Sequence, residues 1–412
     1  MDINAIRNIA RRIHPWMVDI RRDFHQYPEL GKKEFRTQEK ICRYLGEMGI
    51  PCEKKAGTGV VGFIEGKSPG KVVGLRADID ALPMQEKNDV PYRSKNDGIM
   101  HACGHDAHAA ILLGAARVLN ELKGSFSGGV KLLFQPDEEG DGGAEIMVKE
   151  GCMENPTVNY VLGLHVMAYL ETGVVEIRYG KFNAASDSLI IKIFGKSTHA
   201  AYPEMGVDAI LAAAHVIAAL QTLVSRNISP LNAVALSFGK ISGGEVENSL
   251  ADEVTLTGTL RTLDRETRQF CKTRIEEIAD KTAQAFGAKA EIRISPGYEP
   301  LINNDEVVKV ILETGAELLG KENVLFKEYP SLGVEDFSYF LDKAKGAFYH
   351  IGCGNKTRNI IAYNHNSRFD IDEDCLQVGV HLQVASTLKL LGAWGRGGAW
   401  GQSLKLDQIS HT

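Results

Sequence analysis

The densest group of chemically useful side chains is a single short run of the chain. Within eight residues, His101-Ala-Cys103-Gly-His105-Asp106-Ala-His108 offers five possible metal ligands. Neutral imidazole, thiolate and carboxylate groups bind Zn²⁺, Mn²⁺, Co²⁺ or Ni²⁺. Because Cys103 and His105 are two residues apart, they can face one ion only from a non-helical backbone. The run therefore predicts a metal site in a loop before a helix; the alternative is a polar helix start without a metal.

A second candidate group is the acidic run Asp137-Glu138-Glu139, which lies between Pro136 and Gly140 after a predicted strand. Adjacent carboxylates that leave a strand can divide the work, one binding a metal while the other takes a proton from water. The alternative is a solvated acidic turn.

His165 and His365 are weaker signals, because a single histidine is more often a core or surface residue than a ligand. Position adds weight to the candidates as a set. The following segments fall at predicted strand ends of one sheet: 78–80, 101–108, 138–139 and 165. Ligands of open α/β sheets bind beyond the carboxyl ends of the strands, so we expect these segments to meet in one site.

The elements that must position these residues alternate between short apolar runs and helical patterns. Helical patterns cover residues 3–26, 35–48 and 107–122, and strands are predicted at 60–64, 72–75, 130–134 and 160–164. This alternation predicts an α/β fold with a central β-sheet flanked by helices.

A different pattern begins near residue 186. Its strands are predicted at 189–194, 233–238, 254–260 and 289–294, and its helices at 206–225 and 265–286. The order β-α-β-β-α-β is that of a ferredoxin-like α+β domain. We therefore predict an inserted domain at 183–296, a catalytic domain formed by 1–182 and 297–393, and a flexible tail at 394–412.

Composition limits the classes of partner. The 412 residues carry 47 Lys+Arg and 53 Asp+Glu, a net charge of -6, which argues against nucleic acid and anionic membranes and favours a small molecule. Seven scattered cysteines without a C-x-x-C pair predict a reduced, cytoplasmic protein. No signal peptide is evident, and the apolar stretch 209–224 is too short for a membrane span, so we expect a buried helix there.

Five segments carry a resemblance to a known family: Leu75-Arg-Ala-Asp78-Ile-Asp80-Ala-Leu-Pro83, Met100-His-Ala-Cys-Gly-His-Asp-Ala-His108, Gln135-Pro-Asp-Glu-Glu139, Gly163-Leu-His165 and His365-Asn-Ser-Arg-Phe-Asp370. They resemble the M20 metallopeptidase superfamily in its amidohydrolase branch, which comprises hydrolases of N-acyl-L-amino acids, hippurate and auxin (IAA)–amino acid conjugates. The similarity runs in order from about residue 10 to residue 392.

The resemblance implies a catalytic site with two divalent metal ions, of Zn, Mn, Co or Ni. Its ligands would be Cys103, His105, Glu139, His165 and His365. Glu138 would be the general acid/base acting on a metal-bridging water, and Asp80 would orient the ligands.

The resemblance also assigns roles to the inserted domain as a lid. His199, in Gly195-Lys-Ser-Thr-His199, would stabilise the oxyanion, often in a neighbouring subunit's site. Asn248 and Arg261 would contact the substrate carboxylate or the intermediate, for which a guanidinium is well shaped. A homodimer or higher homo-oligomer through the lid is implied. The alternative for these three residues is ordinary lid surface.

The sequence departs from the family pattern at four positions, none of which is a ligand. They are Asp137, Thr198, Glu204 and Ala251. Three lie in the lid, so they bear on substrate preference.

The predicted activity is metal-dependent hydrolysis of the amide of an N-acyl or N-aroyl L-amino acid, giving a carboxylic acid and a free amino acid. A dipeptidase or carboxypeptidase on the same scaffold is the nearest alternative. Two other classes are a thioester-forming hydrolase with Cys103 as nucleophile and a non-catalytic metal- or amino-acid-binding protein. Glu138 argues against the last, because binding alone needs no second carboxylate beside the ligand.

Overall fold

Two main β-sheets organise the chain in the computed structural model, which describes residues 3–394. The helices in this range are α1 (Ile3–Gln26), α2 (Phe35–Glu47), α3 (His105–Glu121), α4 (Ala144–Lys149), α5 (Ala209–Thr222), α6 (Arg265–Ala285), α7 (Asp305–Leu319), α8 (Ser338–Leu341) and α9 (Cys375–Leu390). The strands are β1 (Cys52–Lys55), β2 (Gly59–Glu65), β3 (Val72–Asp78), β4 (Gly129–Gln135), β5 (Tyr160–Glu171), β6 (Val175–Ile177), β7 (Gly180–Asn183), β8 (Ala185–Phe194), β9 (Val234–Gly243), β10 (Glu253–Thr262), β11 (Lys289–Pro296), β12 (Leu301–Asn303), β13 (Val324–Phe326) and β14 (Lys345–Gly354).

The larger sheet is mixed and has the order β1-β2-β4-β3-β5-β14-β6-β13. Its centre is parallel, since β3 pairs in parallel with β4 and β5, and β5 pairs in parallel with β14. Every residue of β3 and β4 is buried, as expected for central strands covered on both faces. The predicted α/β fold with a helix-flanked mixed sheet is confirmed.

Helices cover both faces of this sheet. Alternate residues of β14 point to opposite sides, with Tyr349 in the core shared with α1, α3, α7 and α9, and Phe348 in a smaller core shared with α4 and α8. Helix α3 is buried along most of its length because it packs between the sheet and the helices α1 and α9. This burial fixes its first turn, which carries part of the candidate site.

The smaller sheet is antiparallel, with the order β11-β8-β10-β9. If β8 to β11 are numbered one to four in chain order, the order across the sheet is 4-1-3-2, which is the ferredoxin-like arrangement. Helices α5 and α6 pack on it and share a separate apolar core with its strands. A two-stranded sheet pairs β12 with β7, and these strands lie in the two segments through which the chain enters and leaves the smaller sheet. The domain boundaries given above stay a prediction.

Three details differ from the sequence-based expectations or fall beyond them. Strand β5 continues to Glu171, so His165 lies within the strand and not after its end, because pairing with β14 continues through Met167.

The stretch expected to be a buried helix is buried on one side only. Ala209–Asn227 is long and apolar enough to span a membrane by length and composition, and 33% of its most apolar window is buried. Apart from Trp394, the predicted flexible tail lies outside the described residues.

Candidate active site

The predicted ligands come from five places in the catalytic part of the fold. Cys103 precedes α3, His105 is the first residue of α3, Glu139 follows β4, His165 lies in β5 and His365 precedes α9. The loop before α3 turns at Gly104, whose φ is 93°. A Cβ at this position would lie 2.3 Å from the Cγ2 atom of Val166. Only glycine fits, and the turn at Gly104 provides the non-helical connection between Cys103 and His105 that is expected from their spacing.

These five side chains meet in overlapping groups. In three sets the possible ligand atoms lie within 4.8 Å of one another: Cys103 with His105 and His165, Cys103 with Glu139 and His365, and His105 with Glu138 and Glu139. The Cys103 Sγ atom is 3.3 Å from the His165 Nε2 atom. The His365 Nε2 atom is 3.0 Å from the Glu139 Oε1 atom. The sequence-predicted ligands therefore form one cluster.

Hydrogen bonds fix which imidazole nitrogen can act as a ligand. His165 donates its Nδ1 proton to the Val166 carbonyl oxygen at 2.8 Å. His105 donates its Nδ1 proton to the Asp80 carboxylate at 3.2 Å. In both rings the Nε2 lone pair is left facing the cluster, the tautomer that a metal requires. Asp80 also accepts from the backbone N–H of Glu139 at 2.9 Å, so it contacts two of the five residues.

One buried atom tests whether a metal fits here. The His105 Nε2 atom is buried and has no hydrogen-bond partner among residues 3–394. Buried polar atoms are normally paired, and this one is 3.9 Å from the Glu139 Oε1 atom. An unpaired imidazole nitrogen beside thiol and carboxylate groups suits a divalent ion of the Zn, Mn, Co or Ni type.

Glu138 belongs to a second group of carboxylates. Its oxygen atoms lie within 4.8 Å of those of Glu335 and Asp336. Burial raises the pKa of Glu138 well above its ordinary value, and the negative charges of Glu335 and Asp336 raise it further. A carboxyl group with a raised pKa next to a ligand cluster is suited to exchange protons.

Arg76 balances this negative charge. It is buried and donates to Asp78 at 2.6 Å, Glu335 at 2.9 Å and Asp336 at 3.0 Å. The network continues from Asp78 to His108, whose Nδ1 atom is 2.5 Å from the Asp78 carboxylate. The His108 Nε2 atom accepts the backbone N–H of Val166 at 2.9 Å. Both nitrogens of His108 are thus engaged within the protein, although its residue type had made it a possible ligand.

The remaining members of the first run also stay outside the ligand cluster. Asp106 accepts from Arg21 at 2.8 Å and pairs with His25 at 2.7 Å, which ties α1 to the first turn of α3. His101 is buried beside His25, with ring centroids 6.4 Å apart.

Sequence reasoning passed over Asn364, which joins three ligand segments. Its side-chain amide donates to the carbonyl oxygens of Cys103 at 3.0 Å and Val166 at 3.1 Å. The next residue, His365, has a φ of 63° and donates its N–H to Ala102 at 2.7 Å. No sequence signal marks this role, because Asn364 contacts main-chain atoms. The pair Glu335-Asp336 could have been found, since it repeats the adjacent-carboxylate pattern seen at 138–139.

The lid residues predicted from the sequence lie elsewhere. His199 and Asn248 are exposed, and Arg261 in β10 is half-buried. The His199 Nδ1 atom accepts the N–H of Ala201 at 3.0 Å. Within residues 3–394 no hydrogen bond or ion pair joins these three side chains to the ligand cluster.

A mixed sheet whose strands and loops bring imidazole, thiolate and carboxylate ligands together beside a further carboxylate defines a metal-dependent hydrolase. The chain belongs to Peptidase family M20/M25/M40, whose sequence profile matches residues 74–388. The resemblance inferred from the motifs is thereby confirmed.

Similar proteins divide between two kinds of amide hydrolase. N-acetyl-L-cysteine deacetylase of Bacillus subtilis is 40% identical over 91% of this chain and 88% of its own length. Hippurate hydrolase of Campylobacter jejuni is 37% identical over 90% of this chain and 96% of its own. Thermostable carboxypeptidase 1 of Saccharolobus solfataricus is 37% identical over 92% of this chain and 96% of its own length. This chain is accordingly an enzyme that acts on amide bonds.

A solved structure shares the fold over nearly the whole chain. The Bacillus subtilis YXEP protein, described as a dinuclear metal binding peptidase from the M20 family, superimposes with a TM-score of 0.82. It is 31% identical and covers 93% of this chain and 100% of its own.

Proposed function

We propose that the protein hydrolyses the amide bond of N-acyl or N-aroyl L-amino acids, releasing a carboxylic acid and a free amino acid. The observation that carries this proposal is the position of Glu138, whose carboxylate lies within 4.8 Å of possible ligand atoms of His105 and Glu139. A carboxylate so placed serves proton transfer at a hydrolytic site. The deacetylase and hippurate hydrolase among the similar proteins act on substrates of this class.

The proposed cofactor is a pair of divalent metal ions. Cys103, His105, Glu139, His165 and His365 would hold them. When bound, they would polarise the amide carbonyl and lower the pKa of a bound water. Support comes from the unpaired His105 Nε2 atom and from the dinuclear site named for the YXEP protein.

The chain's own residues then supply proton transfer and orientation. Glu138 takes a proton from the attacking water and gives it to the amide nitrogen as the C–N bond breaks, so that the nitrogen leaves as a neutral amine and not as an amide anion. Asp80 holds the His105 ring and the Glu139 backbone in place through the two hydrogen bonds described above.

The lid residues complete the site when two copies of the chain associate. We assign oxyanion stabilisation to His199, and recognition of the substrate carboxylate to Asn248 and Arg261. In a homodimer these groups would come from the partner, which is compatible with the lack of a hydrogen bond between them and the ligand cluster within residues 3–394 of one chain. The surface that supports this is apolar and belongs to the lid: Ile210 and Leu211 are each 48% exposed, and Ile241 on the edge strand β9 is 56% exposed.

A dipeptidase or carboxypeptidase activity is the second candidate function. The similar carboxypeptidase of Saccharolobus solfataricus favours it, because a peptide and an acylated amino acid differ only in the group that precedes the scissile bond. A cytoplasmic location stays a prediction; it rests on the cysteine pattern, and all seven cysteines are unpaired in the structure.

The test is release of free amino acid from a matched panel. N-acetyl, N-benzoyl and indole-acetyl derivatives of one amino acid are compared with dipeptides ending in the same residue. Each reaction is run with Mn²⁺, Co²⁺ or Zn²⁺ and with a chelator. Chelator-sensitive turnover that favours the acylated amino acids is the expected result. Faster cleavage of dipeptides would transfer the assignment to the peptidase, and no turnover with metal bound would refute both.

A further inference from the structure

Tyr298 lies in one of the two segments in which the chain passes between the smaller and the larger sheet, and it contacts the turn that carries the proposed general base, Glu138. It lies in the segment that returns from β11 to the larger sheet, and it is 9% exposed. Its phenol donates to the backbone carbonyl oxygen of Glu138 at 2.8 Å and lies 3.2 Å from that of Gly140. The hydroxyl therefore contacts the turn that carries Glu138 and Glu139, and not their carboxylates.

The backbone of Tyr298 is hydrogen-bonded to Ser186, which lies in the other segment that joins the two sheets. Ser186 at the start of β8 donates its N–H to the Tyr298 carbonyl oxygen at 3.0 Å. In return the Tyr298 N–H donates to the Ser186 hydroxyl at 3.1 Å, and the Gly297 N–H donates to the Ser186 carbonyl oxygen at 2.9 Å. These hydrogen bonds fix the position of Tyr298 relative to the start of β8, where the chain enters the smaller sheet.

The turn after β4 is shaped around the Tyr298 ring. Asp137 has a φ of 54° and Gly142 a φ of 94°, so the backbone leaves regular structure on both sides of Glu138. A Cβ on Gly142 would lie 2.7 Å from the Tyr298 Cε1 atom. Because this turn has no strand or helix ladder to hold it, a donor from outside the turn constrains its carbonyl groups.

We propose that Tyr298 is a positioning residue: its phenol sets the backbone of the Glu138 turn, and so links the orientation of the general base to the crossing between catalytic sheet and lid. The inference rests on the proposed function for the role of Glu138. It adds that the lid side of the molecule acts on catalysis through this hydroxyl, separately from any lid residue that contacts substrate.

The experiment compares Tyr298→Phe with Tyr339→Phe in the full-length, metal-loaded enzyme. The Tyr339 ring meets the Tyr298 ring edge-on at 6.4 Å, and its hydroxyl is 3.5 Å from the Gly297 carbonyl oxygen, away from the Glu138 turn. Tyr298→Phe keeps the ring in its pocket and removes one donor. We expect kcat to fall about tenfold, with KM within about twofold and with bound metal and Tm unchanged, whereas Tyr339→Phe keeps the wild-type kcat.

A second readout is independent of turnover. Hydrogen exchange of the backbone amides in the 137–143 segment should be faster in Tyr298→Phe than in the wild type and in Tyr339→Phe. If the exchange rates of Tyr298→Phe equal those of the wild type, the inference is overturned, and this result does not depend on any substrate being cleaved. If the wild type cleaves none of the substrates, that result counts against the proposed function and not against the role of Tyr298. Wild-type kcat in Tyr298→Phe, or an equal loss in Tyr339→Phe, also overturns it. A loss of kcat accompanied by loss of metal would show a merely structural role.

Discussion

Glu138 and Glu139 differ in what each residue touches, although they are neighbours in the chain. The Glu139 backbone N–H donates to Asp80 and its carboxylate lies 3.0 Å from the His365 Nε2 atom, which commits it to the ligand cluster. Glu138 lies beside Glu335 and Asp336, and its burial, together with the charges of these two carboxylates, raises its pKa. In the proposed mechanism, Glu139 accordingly binds the metal and Glu138 exchanges protons.

This difference predicts opposite phenotypes for two matched variants. Glu138→Gln keeps the size of the side chain but cannot take a proton, so kcat should fall by about 10²- to 10⁴-fold while metal content stays at the wild-type level. Glu139→Gln removes a ligand charge and should weaken metal affinity by about tenfold or more. Steady-state kinetics and elemental analysis after dialysis measure the two effects. A Glu138→Gln enzyme with near-normal kcat, or with its metal lost, would contradict the assignment.

At this scale the sequence could indicate which side chains meet in the cluster, but not which residues hold them in place. Cys103, His105 and Glu139 are chemically distinctive and lie in short motifs, so the sequence could propose them as candidates, and the family resemblance implied their role as ligands. Asn364 and Arg76 could not be assigned in this way. Asn364 acts on main-chain carbonyl groups, and Arg76 acts on carboxylates more than 250 positions away in the chain, at 335 and 336.

Among the elements, the short strand β6 is fixed to its neighbours by a buried cross-strand cluster. The register of β6 and β14 places Glu176 opposite His350. The Glu176 carboxylate accepts from the His350 Nδ1 atom at 2.9 Å and from the Tyr169 hydroxyl of β5 at 2.7 Å. Burial alone would raise the pKa of Glu176, but these hydrogen bonds and the nearby Lys327 charge lower it to about 2.

The lowered pKa of Glu176 predicts a pH-dependent contribution to stability. Because the folded pKa lies below the unfolded one, the contribution is fully present above about pH 5 and is lost as the pH falls toward 2. Glu176→Gln should lower the free energy of unfolding by about 1–2 kcal/mol at pH 7, less than the full pKa shift would give because solvent screens this partly exposed group, and by less at pH 3. Urea unfolding at the two pH values measures this.

The matched control is Glu306→Gln, which removes an exposed carboxylate paired with Lys345. It should change stability little at either pH, because exposed ion pairs contribute little. A destabilisation by Glu176→Gln that is equal at pH 7 and pH 3 would show that the ionised carboxylate is not its source.

Element order was largely predictable, while element length was not. Apolar periodicity located β2 to β5, the four strands of the smaller sheet and the two helices that pack on it, because each of them buries a regular set of side chains. Strands β6, β12 and β13 have three residues each, too few for a period to be visible. The length of β5 is set by pairing with β14, which lies about 180 residues further along the chain.

For the whole molecule, the proposed site draws on two domains, whose site residues share no hydrogen bond or ion pair within residues 3–394. The catalytic sheet holds the ligand cluster, whereas His199 is exposed on the smaller domain. The sequence could indicate a ferredoxin-like insertion but not what its outer face contacts, because a helix such as α5 is apolar on nearly every side. The exposed Ile210 and Leu211 lie on its uncovered face and make a second copy of the chain the proposed partner.

If the partner supplies His199, two inactive variants should restore one another. In a hybrid dimer of Glu138→Gln and His199→Ala, the His199→Ala chain contributes an intact Glu138 and the Glu138→Gln chain contributes an intact His199, so one of the two sites is complete. Co-expressed with different tags and purified through both, this hybrid should show about half of the wild-type kcat per dimer, while each variant alone stays inactive. A hybrid of Glu138→Gln with the Glu138→Gln/His199→Ala double variant cannot rebuild a site and is the control. If His199 served its own chain's ligand cluster, both sites of the first hybrid would lack one group, and its activity would not exceed that of the control.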